Sequence, residues 1–181
     1  MKRTAFKSKP HKVKKRKATP KLEPWVRAVP ESTSHGSGTL QKRLWRLTSD
    51  AVRIRDWYNF RGECVATGNK ISNWRDGDAG HWKSYAVCRG LFKFHLSNIH
   101  LQSKTSNGWG GQELGHSFGE NLKKRYGEGM LEHINSENKL HSLKFTTEEI
   151  KQEMISRLEL LAVLPEQPEY FKRVQELLKT L

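Results

Sequence analysis

Between Asp78 and Asn107 the chain sets out one carboxylate, an imidazole and two amides. The run is Asp78-Ala79-Gly80-His81-Trp82, and then, after a gap, Asn98-Ile99-His100-Leu101-Gln102-Ser103-Lys104-Thr105-Ser106-Asn107. These are the parts that hydrolysis of a phosphodiester requires. Water must lose a proton, and a neutral His accepts it near pH 7. Charge that develops on the phosphate and the leaving oxygen must be met, and a divalent ion held by a carboxylate and an amide oxygen meets it. Mg2+ (or Mn2+) keeps several waters and takes few protein ligands, so Asp78 and Asn107 suffice as a sparse oxygen pair. His81 is read as the general base. Asn98 is read as its orienter, with the amide oxygen accepting a hydrogen bond from the imidazole and fixing the tautomer. The plain alternative for His81 is a surface hydrogen-bonder in a loop.

Charge supplies the grip on a polyanion. The formal net charge is +14, and residues 1–62 carry 17 Lys/Arg against 4 Asp/Glu, while the remainder is close to balanced. Such a one-sided excess marks an arm for an anionic partner, with DNA the first choice and binding carried by phosphate contacts. The contact residues expected are Lys12, Lys14, Lys15, Arg16 and Lys17 in the arm, and Lys42, Arg43 and Arg46 beyond it. An anionic membrane surface fits less well, because the arm lacks an amphipathic apolar stripe. No RNA-stacking motif supports an RNA-binding protein. Two cysteines make no disulfide framework, no apolar run reaches the length of a membrane span, and no apolar segment of the signal type follows the basic start. The expected setting is a reducing cytoplasm.

Four stretches must position these groups. Residues 1–38 read as a basic, disordered arm and linker, rich in Lys, Pro and Ser/Gly. Residues 39–60 read as an amphipathic basic helix, with Leu40, Leu44, Leu47, Ala51, Ile54 and Tyr58 at steps of three and four. Residues 61–135 form the core, with turns and short strands up to Gln102 and a strand over Ser97–Gln102. Within it, the glycines at 108, 110, 111, 115 and 119 predict a loop, and helical spacing returns over Asn121–Ile134. Residues 136–181 read as a helical segment. It opens on a Thr146/Glu149 capping box and closes on a short helix after Pro165 and Pro168.

The blocks D-A-G-H-W, N-I-H-L-Q-S-K-T-S-N and G-E-N-L-K-K-R-Y-G resemble those of the phage NinG (Rap) recombination nucleases, a family of the HNH or ββα-metal class, from about Arg61 to about Leu161. The resemblance implies an α+β fold in which a small ββα-metal core is flanked by helices. It makes His81 the general base, Asn98 the structural asparagine of the second strand and Asn107 a metal ligand on the helix that follows. In many such proteins the acidic ligand directly precedes the His, and that place here is Gly80; Asp78 is then either ligand or turn cap. His116, Glu120 or Asn121 would complete the ligand set.

The family pattern also carries two C-x-x-C pairs that bind zinc. Their counterparts here are Cys64-Val65-Ala66-Thr67 and Ser103-Lys104-Thr105-Ser106. One thiol of four is left, and structural zinc needs four good ligands, so no zinc is expected. Packing of Trp57, Trp74, Trp82 and Trp109 is the expected replacement, with His100 on a strand face and Cys88 a small buried hydrophobe. The leading expectation is a metal-dependent endonuclease for branched DNA of the Holliday-junction or D-loop type, with a homodimer suited to cutting two symmetric strands. The alternative is a DNA-binding recombination accessory protein without catalysis.

Overall fold

The computed structural model describes residues 37–109, 112–166 and 168. The basic arm with Lys12, Lys14, Lys15, Arg16 and Lys17 lies outside these residues, as does the helix expected after Pro168. The architecture is mixed helix with a small two-stranded antiparallel sheet.

Helix α1 (Ser37–Asn59) is the organising element. Its spacing places Leu40, Leu44, Leu47, Ala51, Val52 and Ile54 in the interior, while Tyr58 is 37% exposed and so leaves the expected apolar face. Strand β1 (Gly77–His81) pairs with β2 (Ile99–Ser103), with Gly77 opposite Ser103 and His81 opposite Ile99. Helix α2 (Lys104–Trp109) follows β2 with no intervening residue. Then come α3 (Gln112–Tyr126), α4 (Met130–Leu140) and α5 (Thr147–Val163).

One core joins α1 to α5 through Leu44, Leu47, Ile54, Ile150, Leu158 and Leu161. A second gathers Cys64, Val65, Phe92, Leu101, Phe118, Leu122 and Ile134. Val52, Ala79 and Ile99 seal the sheet onto α1. Helix α5 starts on the expected box: Thr146 Oγ1 accepts from Glu149 N, and Glu149 accepts from Thr146 N.

Two expectations change. The glycine-rich stretch is helical on both sides of residues 110–111 rather than a loop. Gly119 sits inside α3 because a side chain there would crowd the Trp82 indole and Leu131, so it serves close packing and not chain reversal. The helix expected over Asn121–Ile134 is two helices, broken at Gly127, whose φ of +101° is costly for any residue with a Cβ.

Part of the basic side of α1 also turns inward. Arg55 is bonded to the buried Asp56 and to the carbonyls of Leu96 and Ile99. Arg53 is paired with Asp50 and donates to Gly77 O. The Asp56 carboxylate receives the Leu101 N–H at 3.0 Å and His100 Nδ1 at 3.2 Å. Burial alone would raise its pKa, but Arg55 and His100 outweigh that and hold it well below the usual carboxylate range. This buried cluster fastens α1 to β2.

Candidate active site

His81 ends β1 on the face turned to α1. Its ring stacks on Trp45 of α1, centroids 5.1 Å apart and planes at 16°, and meets Tyr85 edge-on at 5.7 Å. Nε2–H donates to the Lys93 carbonyl at 2.7 Å. A nitrogen facing a carbonyl carries the proton, so in the neutral imidazole Nδ1 keeps the lone pair. Burial lowers the His81 pKa, and the Lys93 bond offsets this only in part. The ring is therefore neutral at pH 7, fixed in tautomer, and suited to take a proton at Nδ1.

Asn98 is fully buried, and its partner differs from the one expected. Lys83 N donates to Asn98 Oδ1 at 2.7 Å, and Asn98 Nδ2 donates to Lys83 O at 3.0 Å and to Cys88 Sγ at 3.4 Å. Trp82 N donates to the Asn98 carbonyl. The amide thus clamps the chain immediately after His81. A main-chain carbonyl, and not Asn98, holds the imidazole itself. Asn98 holds the main chain at Trp82 and Lys83.

Asp78 and Asn107 are brought together. Asn107 Nδ2 donates to Asp78 Oδ2 at 3.2 Å, so its Oδ1 is turned elsewhere. That oxygen lies 2.9 Å from where a Cβ on Gly80 would stand, and Gln102 fills the same space. A side chain at position 80 would displace the Gln102 and Asn107 amides, and Asp78 is the carboxylate on this part of β1. By strand alternation Asp78 and Gly80 share one face of β1, while Ala79 and His81 share the other, packed on Val52 and Trp45 of α1. The oxygen pair and the imidazole are neighbours in sequence on opposite faces of the end of β1. An Asp carboxylate and an amide oxygen fit a hard divalent ion, and a half-turn of the Asn107 amide would set its oxygen, in place of Nδ2, beside the Asp78 carboxylate. Among the described residues no group of three or more His, Cys, Asp or Glu gathers to hold a metal.

His116 is exposed and lines a different place, a groove of about 440 Å³ with Thr67, Glu120, Asn121 and Lys124, which neither Asp78 nor Asn107 lines. Asn121 is occupied in donating to Val65 O, and Glu120 pairs with Lys123. The partners these three show are Thr67, Val65, Lys123 and Lys124, and not Asp78 or Asn107. Of the cations expected on α1, Lys42 is exposed, whereas Arg43 and Arg46 are half-buried and engaged within the fold.

The four positions that resemble zinc ligands do converge. Ser103 N donates to Cys64 Sγ at 3.2 Å, Cys64 Sγ and Ser106 Oγ share a hydrogen bond at 3.4 Å, and Ser103 Oγ donates to Ser106 Oγ at 3.0 Å. One thiol and three hydroxyls do not suit zinc, so the residues do not fit that metal. What closes the fold here is a hydrogen-bonded knot. Burial would raise the Cys64 pKa, yet the bonds from Ser106, Thr67 and Ser103 bring it down to about 7. Trp57 and Trp82 pack on the core that holds Cys64, and Trp74 belongs to the core between α1 and α5. Trp57 donates to Ile71 O, Trp74 is buried and donates to Glu166, and Trp82 packs on the second core. The side chain of Trp109 lies outside the description. His100 is buried on Asp56, and Cys88 is half-buried against Asn98.

Sequence reasoning missed Trp45, Tyr85 and the Lys93 carbonyl. Tyr85 left a signal as an aromatic residue four positions after His81; Trp45, far away in sequence on α1, and a main-chain acceptor left none. No helix among the described residues is long and apolar enough to cross a membrane. No curated protein and no solved structure matches the chain. Residues 1–164 match the family described as Bacteriophage Lambda NinG protein. With that match spanning nearly all of the site and fold described above, the chain belongs to the NinG family of phage recombination-associated proteins.

Proposed function

We propose that this protein is a metal-dependent endonuclease of the HNH type that hydrolyses phosphodiesters in branched DNA. The observation that carries the reading is the His81 imidazole, neutral by burial and fixed by the Lys93 carbonyl with Nδ1 left as acceptor. His81 takes the proton of the attacking water at Nδ1. Trp45 and the Asn98 clamp keep the ring from turning. Asp78 and Asn107, on the other face of β1 from His81, are the residues that would hold Mg2+ or Mn2+; when bound, the ion would supply charge stabilisation to a phosphate lying across the end of that strand. The order of two short antiparallel strands followed at once by a helix supports the HNH assignment. Binding rests on the basic arm and Lys42, so affinity falls steeply with salt. A homodimer would deliver two such sites to symmetric strands.

The test is cleavage of a panel of branched and linear DNAs with and without Mg2+ or Mn2+. Wild-type chain should cut branched DNA only with metal. His81→Ala should lose at least about 100-fold, the low end of what a general base contributes, while binding in EDTA stays within a factor of two or so. Because burial lowers the His81 pKa, the acid limb of the pH profile should fall below the ordinary His value of about 6.5. Binding without any metal-dependent cleavage would instead favour the recombination accessory protein.

A further inference from the structure

The loop after His81 carries an aromatic ring that the core does not use. Tyr85 opens a short 3-10 turn, Tyr85–Val87, and is 48% exposed. Ser84 caps that turn through the Ala86 N–H. The ring stands edge-on to His81 at 5.7 Å and to Phe94 at 6.4 Å, so its place is fixed by neighbours although it faces solvent. The Lys93 ammonium lies 5.2 Å from its centroid. That ammonium is itself seated between Tyr85, Phe94 and Phe145 and donates to Gln41 Oε1 at 3.0 Å. An ammonium has three N–H donors, and one of these goes to Gln41.

We propose that Tyr85 and Lys93 form a binding site for an unpaired nucleotide. The base stacks on the exposed Tyr85 ring, and the adjoining phosphate takes the Lys93 ammonium. A stacking ring accepts any base, because every base has a π face, and a nearby cation tracks the backbone. Bases inside a duplex are stacked on one another and reach such a ring only by flipping out. The site therefore selects forks, gaps and junction arms over plain duplex. It deepens the nuclease reading above and rests on it for one consequence only: a strand held here presents its phosphate to His81.

The experiment uses the full chain in EDTA, so that nothing is cut. Fluorescence anisotropy compares a fork carrying unpaired nucleotides with a fully paired duplex of equal length. Tyr85→Ala should weaken fork binding about 5- to 150-fold, the range for one stacked base, and leave duplex binding unchanged. Tyr85→Phe should bind like wild type, since the ring and not the hydroxyl stacks. 2-Aminopurine at the unpaired position should be quenched by wild type and not by Tyr85→Ala. Lys93→Ala should lower the salt slope of fork binding by about one. Wild-type fork affinity in Tyr85→Ala, equal losses on fork and duplex, or an unchanged salt slope in Lys93→Ala overturns the proposal. The two readings separate cleanly. Tyr85-dependent fork binding in a chain that never cuts DNA refutes the nuclease alone. Metal-dependent cutting that Tyr85→Ala leaves untouched refutes the stacking site alone.

Discussion

The knot of Cys64, Thr67, Ser103 and Ser106 permits a gain-of-function test of the geometry. Sulfurs at the corners of a zinc tetrahedron, with Zn–S near 2.3 Å, lie about 3.8 Å apart. The existing Cys64 Sγ to Ser106 Oγ and Ser103 Oγ to Ser106 Oγ separations are 3.4 and 3.0 Å. Spreading them by less than about 1 Å admits a zinc ion, and longer C–S bonds move the donors outward in that sense. The triple substitution Thr67→Cys, Ser103→Cys, Ser106→Cys should therefore bind one Zn2+ per chain. Free Zn2+ at a hundred times its dissociation constant stabilises the folded state by about 2.7 kcal/mol. For a chain of this size that raises Tm by about 5–11 °C. The assay is differential scanning calorimetry with and without buffered zinc, with metal content measured after dialysis. Co2+ in place of zinc should show the absorption of a tetrahedral thiolate site. A folded triple variant that takes up no metal, or takes it up with no rise in Tm, refutes the convergence of the four positions.

Two further outcomes follow from buried groups. Asn98→Ala removes the partner of both Lys83 main-chain groups in the interior, at a cost of about 2–4 kcal/mol read from urea midpoints; a loss under about 0.5 kcal/mol would show that the clamp bears no load. Cys64 is lowered to about 7 in the folded state from an ordinary value of about 8.5 in the unfolded chain. Between these values the unfolded chain holds more protons, so stability rises with pH across that window and is lost as pH falls through about 7. Cys64→Ser should flatten this dependence in thermal melts, and an equal slope in wild type and variant would contradict it.

Much of the scaffold was legible in side-chain pattern. Leu40, Leu44 and Leu47 announce α1, and Thr146 with Glu149 marks the start of α5, because helix periodicity and capping are local physics. The meeting of Asp78 with Asn107 follows from a strand, a strand and an abutting helix. Other features depend on tertiary context. Gly119 reads as a breaker in sequence, yet it is there so that Trp82 can approach α3. Arg53 and Arg55 read as a solvated basic face, yet they anchor the sheet through Gly77 O, Leu96 O and Ile99 O. The partner of Asn98 was misassigned for a related reason. The group that holds His81 belongs to the main chain, which has no letter in the sequence.

That main-chain acceptor has a consequence for substitutions at position 93. Every residue type at position 93 offers the same carbonyl, so no ordinary substitution there deletes the hydrogen bond that sets the His81 tautomer. The side chain at 93 has no part in that hydrogen bond, whereas Asn98 holds Lys83 with its own side-chain atoms, and a substitution there removes the contact. One residue thus carries two separable contacts, with the imidazole held by the backbone at 93 and the aromatic rings and Gln41 met by its side chain.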